Sequence, residues 1–290
     1  MRILSIQSSV AYGHVGNSAA VFALQRLGHE VIAVNTVHFS NHTGYGAWRG
    51  VVMDTAVIAD VIEGIADRDA LRTVDAVLTG YQGSPGVADV VLDTVARVRS
   101  LHPPAVYCAD PVMGDVGRGM FVLPGVPELI RERVVPVADV LTPNVFELSY
   151  LAFGGDPAEV SVDRMEDLAA LLAAVDVVRA MGPRTVLVTS VQGSTVEPGQ
   201  IGMVAVDDSG AYLVRTPELP LSVNGAGDVT AALFLAHLHR GISTALASVA
   251  SSVYGILAAT HIAGSREIAL IPAQAVVADP PGEFPVERVR

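Results

Sequence analysis

The stretch Val223-Asn224-Gly225-Ala226-Gly227-Asp228-Val229-Thr230 decides how the chain is read. A glycine-rich turn opens directly into an apolar helical run, Ala231-Ala232-Leu233-Phe234-Leu235-Ala236. The first turn of a helix leaves backbone N–H groups without partners, and the helix dipole adds partial positive charge there. Gly225 and Gly227 carry no Cβ, so an anion can approach the main chain closely. Asp228 stands at the mouth of this nest. A carboxylate in that place can accept a hydroxyl proton while the N–H groups hold negative charge beside it, which suits phosphoryl transfer to an alcohol. The same octet also fits a plain helix N-terminus with Asp228 as a cap or first-turn acid.

Upstream, the pattern alternates between short apolar strands and longer helices. Ile3 to Ile6 reads as a buried strand. A polar, glycine-punctuated loop, Ser8 to Gly16, leads to a helix capped by Asn17 or Ser18 and stopping near Gly28. Val31 to Val34 is the next strand, and a βαβ opening implies a parallel sheet with a right-handed crossover. Helices are expected over 56–65, 87–98, 164–181 and from about Val145, with strands at 76–79, 105–109, 137–141 and 185–189. Residues 201–206 and 211–214 alternate and are joined by Asp207-Asp208-Ser209-Gly210, a hairpin signal. Two helices, 226–239 and 244–262, close the core, and Pro280-Pro281-Gly282 to Arg290 reads as a loose tail. The expected fold is one doubly wound α/β domain over residues 1–290, a mostly parallel central sheet flanked by helices. In such sheets ligands bind beyond the carboxyl ends of the strands. Polar loops follow strands at Ser8–Gly16, Gly80–Ser84, Asp110–Gly119 and Thr142–Glu147. His38 to Gly50 breaks the alternation. It holds the only tryptophan, Trp48, and reads either as a lid or as a solvated connection.

Composition narrows the function classes. The net charge of −12 argues against nucleic acid and anionic membranes as partners, and an anionic substrate would need local positive potential. All 18 basic side chains are arginine. The absence of lysine excludes a Walker A loop, the protein-kinase lysine–carboxylate pair and an internal lysine Schiff base. Cys108, the only cysteine, cannot form an internal disulfide and reads as a packed core residue. The N-terminus reads as a strand rather than a signal peptide, and no run reaches the 18 or more apolar residues of a membrane span. These features lead to the expectation of a soluble, cytoplasmic protein.

Two further constellations carry possible chemistry. Asp110-Pro111-Val112-Met113-Gly114-Asp115 follows a strand directly. Its two carboxylates could share one turn and hold Mg²⁺, or cap the turn. Asn144 and Glu147 have capping-box spacing at a strand-to-helix junction, and a Mg²⁺ role needs Asp110 nearby. Arg118, between Gly117 and Gly119, could swing over a phosphate or sit as a surface cation. His14, His42 and Asp115 lack a metal-ligand spacing, so no zinc site is read.

Gly225-Ala226-Gly227-Asp228 resembles the anion-hole and catalytic-base motif of the ribokinase-like superfamily, and Asn144-x-x-Glu147 its magnesium-associated motif. Three stretches resemble pyridoxal kinases in particular: Ile6-Gln7-Ser8 with Tyr12 to Asn17, the octapeptide Phe39-Ser40-Asn41-His42-Thr43-Gly44-Tyr45-Gly46, and Thr79-Gly80-Tyr81 with Gly83-Ser84. Asp110 to Asp115 is shared with hydroxymethylpyrimidine kinases. The resemblance runs from Ile3 to about Ala259. It implies ATP-dependent phosphorylation of the 5′-hydroxyl of pyridoxal, on a homodimeric, ribokinase-like scaffold with lid loops. Asp228 would be the base, and the N–H groups of Asn224, Gly225, Ala226 and Gly227 the phosphoryl cradle. Ser8, Thr43 and Gly44 would contact the vitamin, Tyr81 would stack on its ring, and Val37 to Tyr45 would close over it. Asp110, Asn144 and Glu147 would organise Mg²⁺. Asp115, Arg118, Thr142 and Thr189 would serve the ATP phosphates, with Arg215-Thr216-Pro217-Glu218 as the adenine-side wall; a monovalent cation is a further possibility. Two departures stand out: Ser222-Val223 replaces an Asp-Thr pair, and residue 189 is not lysine. A hydroxymethylpyrimidine or sugar kinase, or a weakly catalytic vitamin B6-binding protein, remain the alternatives.

Overall fold

The computed structural model describes all residues, Met1–Arg290. Its strands, in chain order, are β1 (Arg2–Val10), β2 (Glu30–Phe39), β3 (Gly50–Val52), β4 (Ala76–Thr79), β5 (Val106–Ala109), β6 (Gly114–Asp115), β7 (Gly119–Met120), β8 (Val140–Leu141), β9 (Thr185–Val191), β10 (Gln200–Asp207), β11 (Gly210–Pro217) and β12 (Val286–Arg288). Its helices are α1 (Asn17–Arg26), α2 (Thr55–Ala66), α3 (Pro85–Leu101), α4 (Val126–Leu129), α5 (Val145–Phe153), α6 (Leu168–Arg179), α7 (Ala226–His237), α8 (Ile242–Ala263) and α9 (Gln274–Ala278).

Ten strands form one sheet in the order β12-β11-β10-β9-β8-β5-β4-β1-β2-β3. The central run from β9 to β2 is parallel throughout. The hairpin β10–β11 and the edge strands β12 and β3 are antiparallel. The sheet is therefore mostly parallel at its centre, as the βαβ opening requires.

Period-two alternation divides the core between the two faces. Leu4 and Ile6 of β1, Val77 of β4, Tyr107 of β5 and Val186 and Val188 of β9 pack with the apolar sides of α2, α3, α5 and α6. Their neighbours Ile3, Leu78, Cys108 and Leu187 point the other way, into α1, α7 and α8. The buried thiol of Cys108 accordingly packs as a small hydrophobe.

Three expectations are corrected by the coordinates. The tail is not loose: Val286–Arg288 pairs with Tyr212–Val214 as edge strand β12, and the Arg290 guanidinium binds both oxygens of Asp176 at 2.7 and 2.8 Å. The Pro-Pro-Gly run only carries the chain to that edge. Helix α1 has Gly16 at its cap, with no side-chain cap. Asn17 instead turns inward, where its amide meets Ser5, the Val34 carbonyl and Asn35. The segment 114–120 folds into its own two-stranded hairpin, β6–β7. Helix α8, 22 residues long, is by length and composition alone apolar and long enough to cross a membrane. Serine, threonine and glycine hide this in a search for unbroken apolar runs, and the helix is packed in the core from Ile242 to Thr260.

Candidate active site

The polar loops converge at the carboxyl ends of the parallel strands. Gly225 caps α7 in a left-handed conformation, φ 95°. A Cβ there would collide with the carbonyl oxygen of His14, so the loop after β1 presses directly on the glycine turn. Gly227, by contrast, faces open space, with nothing within 4 Å of where a Cβ would stand. The two glycines thus do different work: one permits the turn, the other leaves room beside the N–H groups for a ligand.

Asp228 occupies the first turn of α7. Burial pushes its carboxyl up to about 6, opposed by the N–H groups of Gly16 and of Asp228 itself. A carboxylate poised near the working pH is a competent acceptor for a hydroxyl proton.

Asp110 lies just past β5 and is buried. Burial raises its pKa well above the ordinary range, the Glu147 and Asp228 carboxylates raise it further, and the Thr142 hydroxyl, 3.2 Å away, pulls it down. Glu147 closes a capping box with Asn144: its Oε2 accepts from the Asn144 N–H, and its own N–H donates to Asn144 Oδ1, both at 2.9 Å. Its Oε1 accepts from the Met113 N–H at 2.9 Å. Burial raises Glu147 and these backbone donors lower it. Asn144 Nδ2 donates to the Gly114 carbonyl, so the cap of α5 also anchors the hairpin β6–β7.

None of Asp110, Glu147 and Asp228 is ion-paired with an arginine or histidine. A buried Asp110 whose pKa is raised by burial and by the Glu147 and Asp228 carboxylates, with no counter-charge beside it, fits a hard cation. No group of three His, Cys, Asp or Glu side chains is arranged to hold a metal unaided. A Mg²⁺ here would rely on water and phosphate oxygens for much of its shell, which is its habit.

The loops that follow β1 and β2 meet at a residue the sequence did not single out, Glu267. This buried acid sits 3.1 Å from His42 Nε2, although not aligned as a hydrogen bond. Its Oε2 accepts from the His14 N–H at 3.3 Å. It also accepts from the Tyr45 hydroxyl, and this bond, the largest cause, pushes the phenol up to about 12. Its main chain bridges to Asn224. The other face of the His42 contact is closed by Asn224, whose Nδ2 is 3.3 Å from His42 Nδ1 and whose Oδ1 accepts from Arg118 Nη1 at 3.1 Å. Three loops far apart in the chain are thereby tied to the glycine turn. A lone acid after Gly264-Ser265-Arg266 has no spacing to betray this; only tertiary packing shows it.

This geometry agrees with what the chain resembles. The phosphomethylpyrimidine kinase family model matches residues 17–264. A protein named pyridoxal kinase PdxY from Leifsonia xyli subsp. xyli is 55% identical over 291 residues, covering 100% of both chains. Its namesake from Rubrobacter xylanophilus is 56% identical, covering 100% of this chain and 98% of that one. The solved pyridoxal kinase of Leishmania donovani in complex with ADP and pyridoxamine superposes with a TM-score of 0.89 at 31% identity, over 100% and 99% of the two chains. The chain belongs to the pyridoxal kinase family. It has the ribokinase-like α/β fold.

Within this pyridoxal kinase fold the expected residues are not all brought together. Ser8 is buried beside Gly16, whose absent Cβ is what lets the Ser8 carbonyl and hydroxyl lie so close. Thr43 and Gly44 fall in a short 3₁₀ turn, Thr43–Tyr45, and a Cβ on Gly44 would lie 2.7 Å from Asn224 Nδ2. Tyr81 is half-buried, and its carbonyl accepts from Thr36. Thr189 donates its N–H to the Pro143 carbonyl, next to the Asn144 cap. Asp115 closes its own turn by accepting from the Val116 N–H. Thr142 donates its hydroxyl to Asp110 at 3.2 Å. Arg215 is drawn to Glu287 at 2.9 Å because β12 lies on that edge, a partner that a loose tail would not supply. Thr216 is buried, Pro217 is exposed, and Glu218 accepts from Gln192.

Proposed function

We propose that this chain transfers the γ-phosphoryl group of ATP to the 5′-hydroxyl of pyridoxal, giving pyridoxal 5′-phosphate. The observation that carries this reading is the placing of Asp228, raised to about 6, in the first turn of α7 beside the open space at Gly227. Asp228 takes the hydroxyl proton as the oxygen attacks phosphorus, and ADP leaves. The main-chain donors of Asn224 to Gly227 stabilise charge on the phosphoryl group in flight. Ser8, Thr43 and Gly44 hold the polar edges of the ring, Tyr81 lies against its face, and the Glu267 network keeps the His42–Tyr45 turn over it. Arg118, already hydrogen-bonded to Asn224, covers the phosphates from the hairpin side. Asp110, with Asn144 and Glu147 behind it, would hold Mg²⁺, which supplies neutralisation of phosphate charge. Asp115, Thr189 and the Thr216–Glu218 segment form the nucleotide side. The reading extends to pyridoxine and pyridoxamine, which carry the same hydroxyl, and to a homodimer in the cytoplasm.

Release of ADP with pyridoxal, pyridoxine, pyridoxamine, hydroxymethylpyrimidine and ribose, each with and without Mg²⁺, tests it. The expected outcome is Mg²⁺-dependent turnover highest with a B6 vitamer. Turnover confined to hydroxymethylpyrimidine or ribose would overturn it.

A further inference from the structure

Beside the glycine turn lies a cavity of about 240 Å³ lined by His42, Gly44, Arg118, Ser222, Asn224 and Arg266. No apolar residue and no acid lines it, and neither Asp228 nor Thr189 nor the Arg215–Glu218 wall takes part. Arg118 is held by Asn224 and lies over the Phe121 ring, 5.0 Å from its centre. Arg266 lies over the Tyr45 ring at 4.3 Å. Neither guanidinium has a carboxylate partner. Glu267, the adjacent acid, is buried and turned inward to His42, Tyr45 and the His14 N–H. Its ties fix the backbone that carries Arg266.

Two guanidinium groups facing one polar cavity repel each other until an anion lies between them. In a chain of net charge −12 the arrangement is not a general property of the surface. Guanidinium forks match phosphate oxygens, and Ser222 and Asn224 add neutral donors. The volume suits a phosphate group and falls short of the roughly 300–1,000 Å³ typical of larger ligands.

We propose that this cavity, which adjoins the nest at Asp228 through Asn224, is an anion subsite for a phosphate dianion, free or as a monoester, with Arg266 as its determinant. The monoester arm rests on the kinase reading, because the phosphorylated vitamin would leave past His42 and Gly44. The free-phosphate arm does not. A lysine-free chain cannot trap an aldehyde product as a side-chain imine, so retention here would come from the phosphate.

Calorimetric titration of inorganic phosphate into the intact chain, without ATP, compares wild type with R266A and R266K. R266A is expected to weaken phosphate about tenfold, the loss of one charge-assisted contact, and R266K to keep most of the affinity. Pyridoxal 5′-phosphate is the second probe. A parallel loss in R266A, with KM for ATP and pyridoxal within twofold of wild type, assigns the monoester to the same subsite. A loss for inorganic phosphate alone supports the subsite with free phosphate as its ligand. Undiminished phosphate binding in R266A would overturn the proposal, as would a KM for ATP that rises with it. A wild-type chain without kinase activity would sink the kinase reading and leave the phosphate titration to decide the subsite.

Discussion

The two sides of the cleft are built differently. The side proposed to hold the vitamin is tied together by its own side chains: Glu267 reaches His14, His42 and Tyr45, and Asn224 links His42 to Arg118. The side proposed for the nucleotide has few such ties. Residue 189 is threonine, Arg215 is held by Glu287, and Glu218 meets only Gln192 and the Gly199 carbonyl. A substrate with small polar edges needs a preformed pocket, since each misplaced hydrogen bond is a large share of its affinity. A nucleotide triphosphate brings charge of its own and can be gripped through main-chain N–H groups and a metal ion.

Substitutions along this divide sharpen it. The largest effect is expected at the shared turn. Gly225→Ala must place a Cβ against the His14 carbonyl at φ 95°, and backbone strain alone costs about 1–3 kcal/mol. A melting temperature well below wild type and loss of both substrates are expected. Gly227→Ala meets open space, so the melting temperature should hold while kcat falls about 10- to 100-fold as the methyl crowds the phosphoryl group. Equal destabilisation by the two would erase the distinction drawn between these glycines.

Glu267→Gln should act on one side only. The neutral amide keeps an acceptor for the Tyr45 hydroxyl and the His14 N–H but loses the charge facing His42. KM for pyridoxal is expected to rise about threefold to tenfold, with KM for ATP unchanged and less damage than in Glu267→Ala. A matched rise in both constants would mean that Glu267 supports the fold rather than the vitamin pocket. Arg215→Ala should do least. The Arg215–Glu287 pair is half-exposed, so stability should change by about 0–1 kcal/mol, with KM for ATP within twofold. A large rise in that constant would return Arg215 to the nucleotide wall.

How much of this was legible in the sequence follows from the range of each interaction. The βαβ alternation, the β10–β11 hairpin and the apolar helix after Asp228 are local patterns, and they fold as read. The Asn144–Glu147 capping box was legible for the same reason. Glu267, the inward turn of Asn17 and the Arg215–Glu287 pair depend on partners far along the chain, and no spacing encodes them. The tail misled because Pro280-Pro281-Gly282 is a strong breaker signal, while the three-residue strand that follows is too short to show a period. Gly225 and Gly227 look alike in sequence; only the carbonyl of His14 tells them apart.

The central claim is that Asp228 removes the proton from the acceptor hydroxyl, and the kcat–pH profile of wild type beside Asp228→Asn tests it most directly. In wild type, kcat should fall as pH drops through about 6, because the protonated carboxyl can no longer accept. Asp228→Asn should melt like wild type, bind pyridoxal, lose about 10²- to 10⁴-fold in kcat and show no such limb. A folded Asp228→Asn protein with near-normal turnover, or one that keeps the same acid limb, would contradict the account.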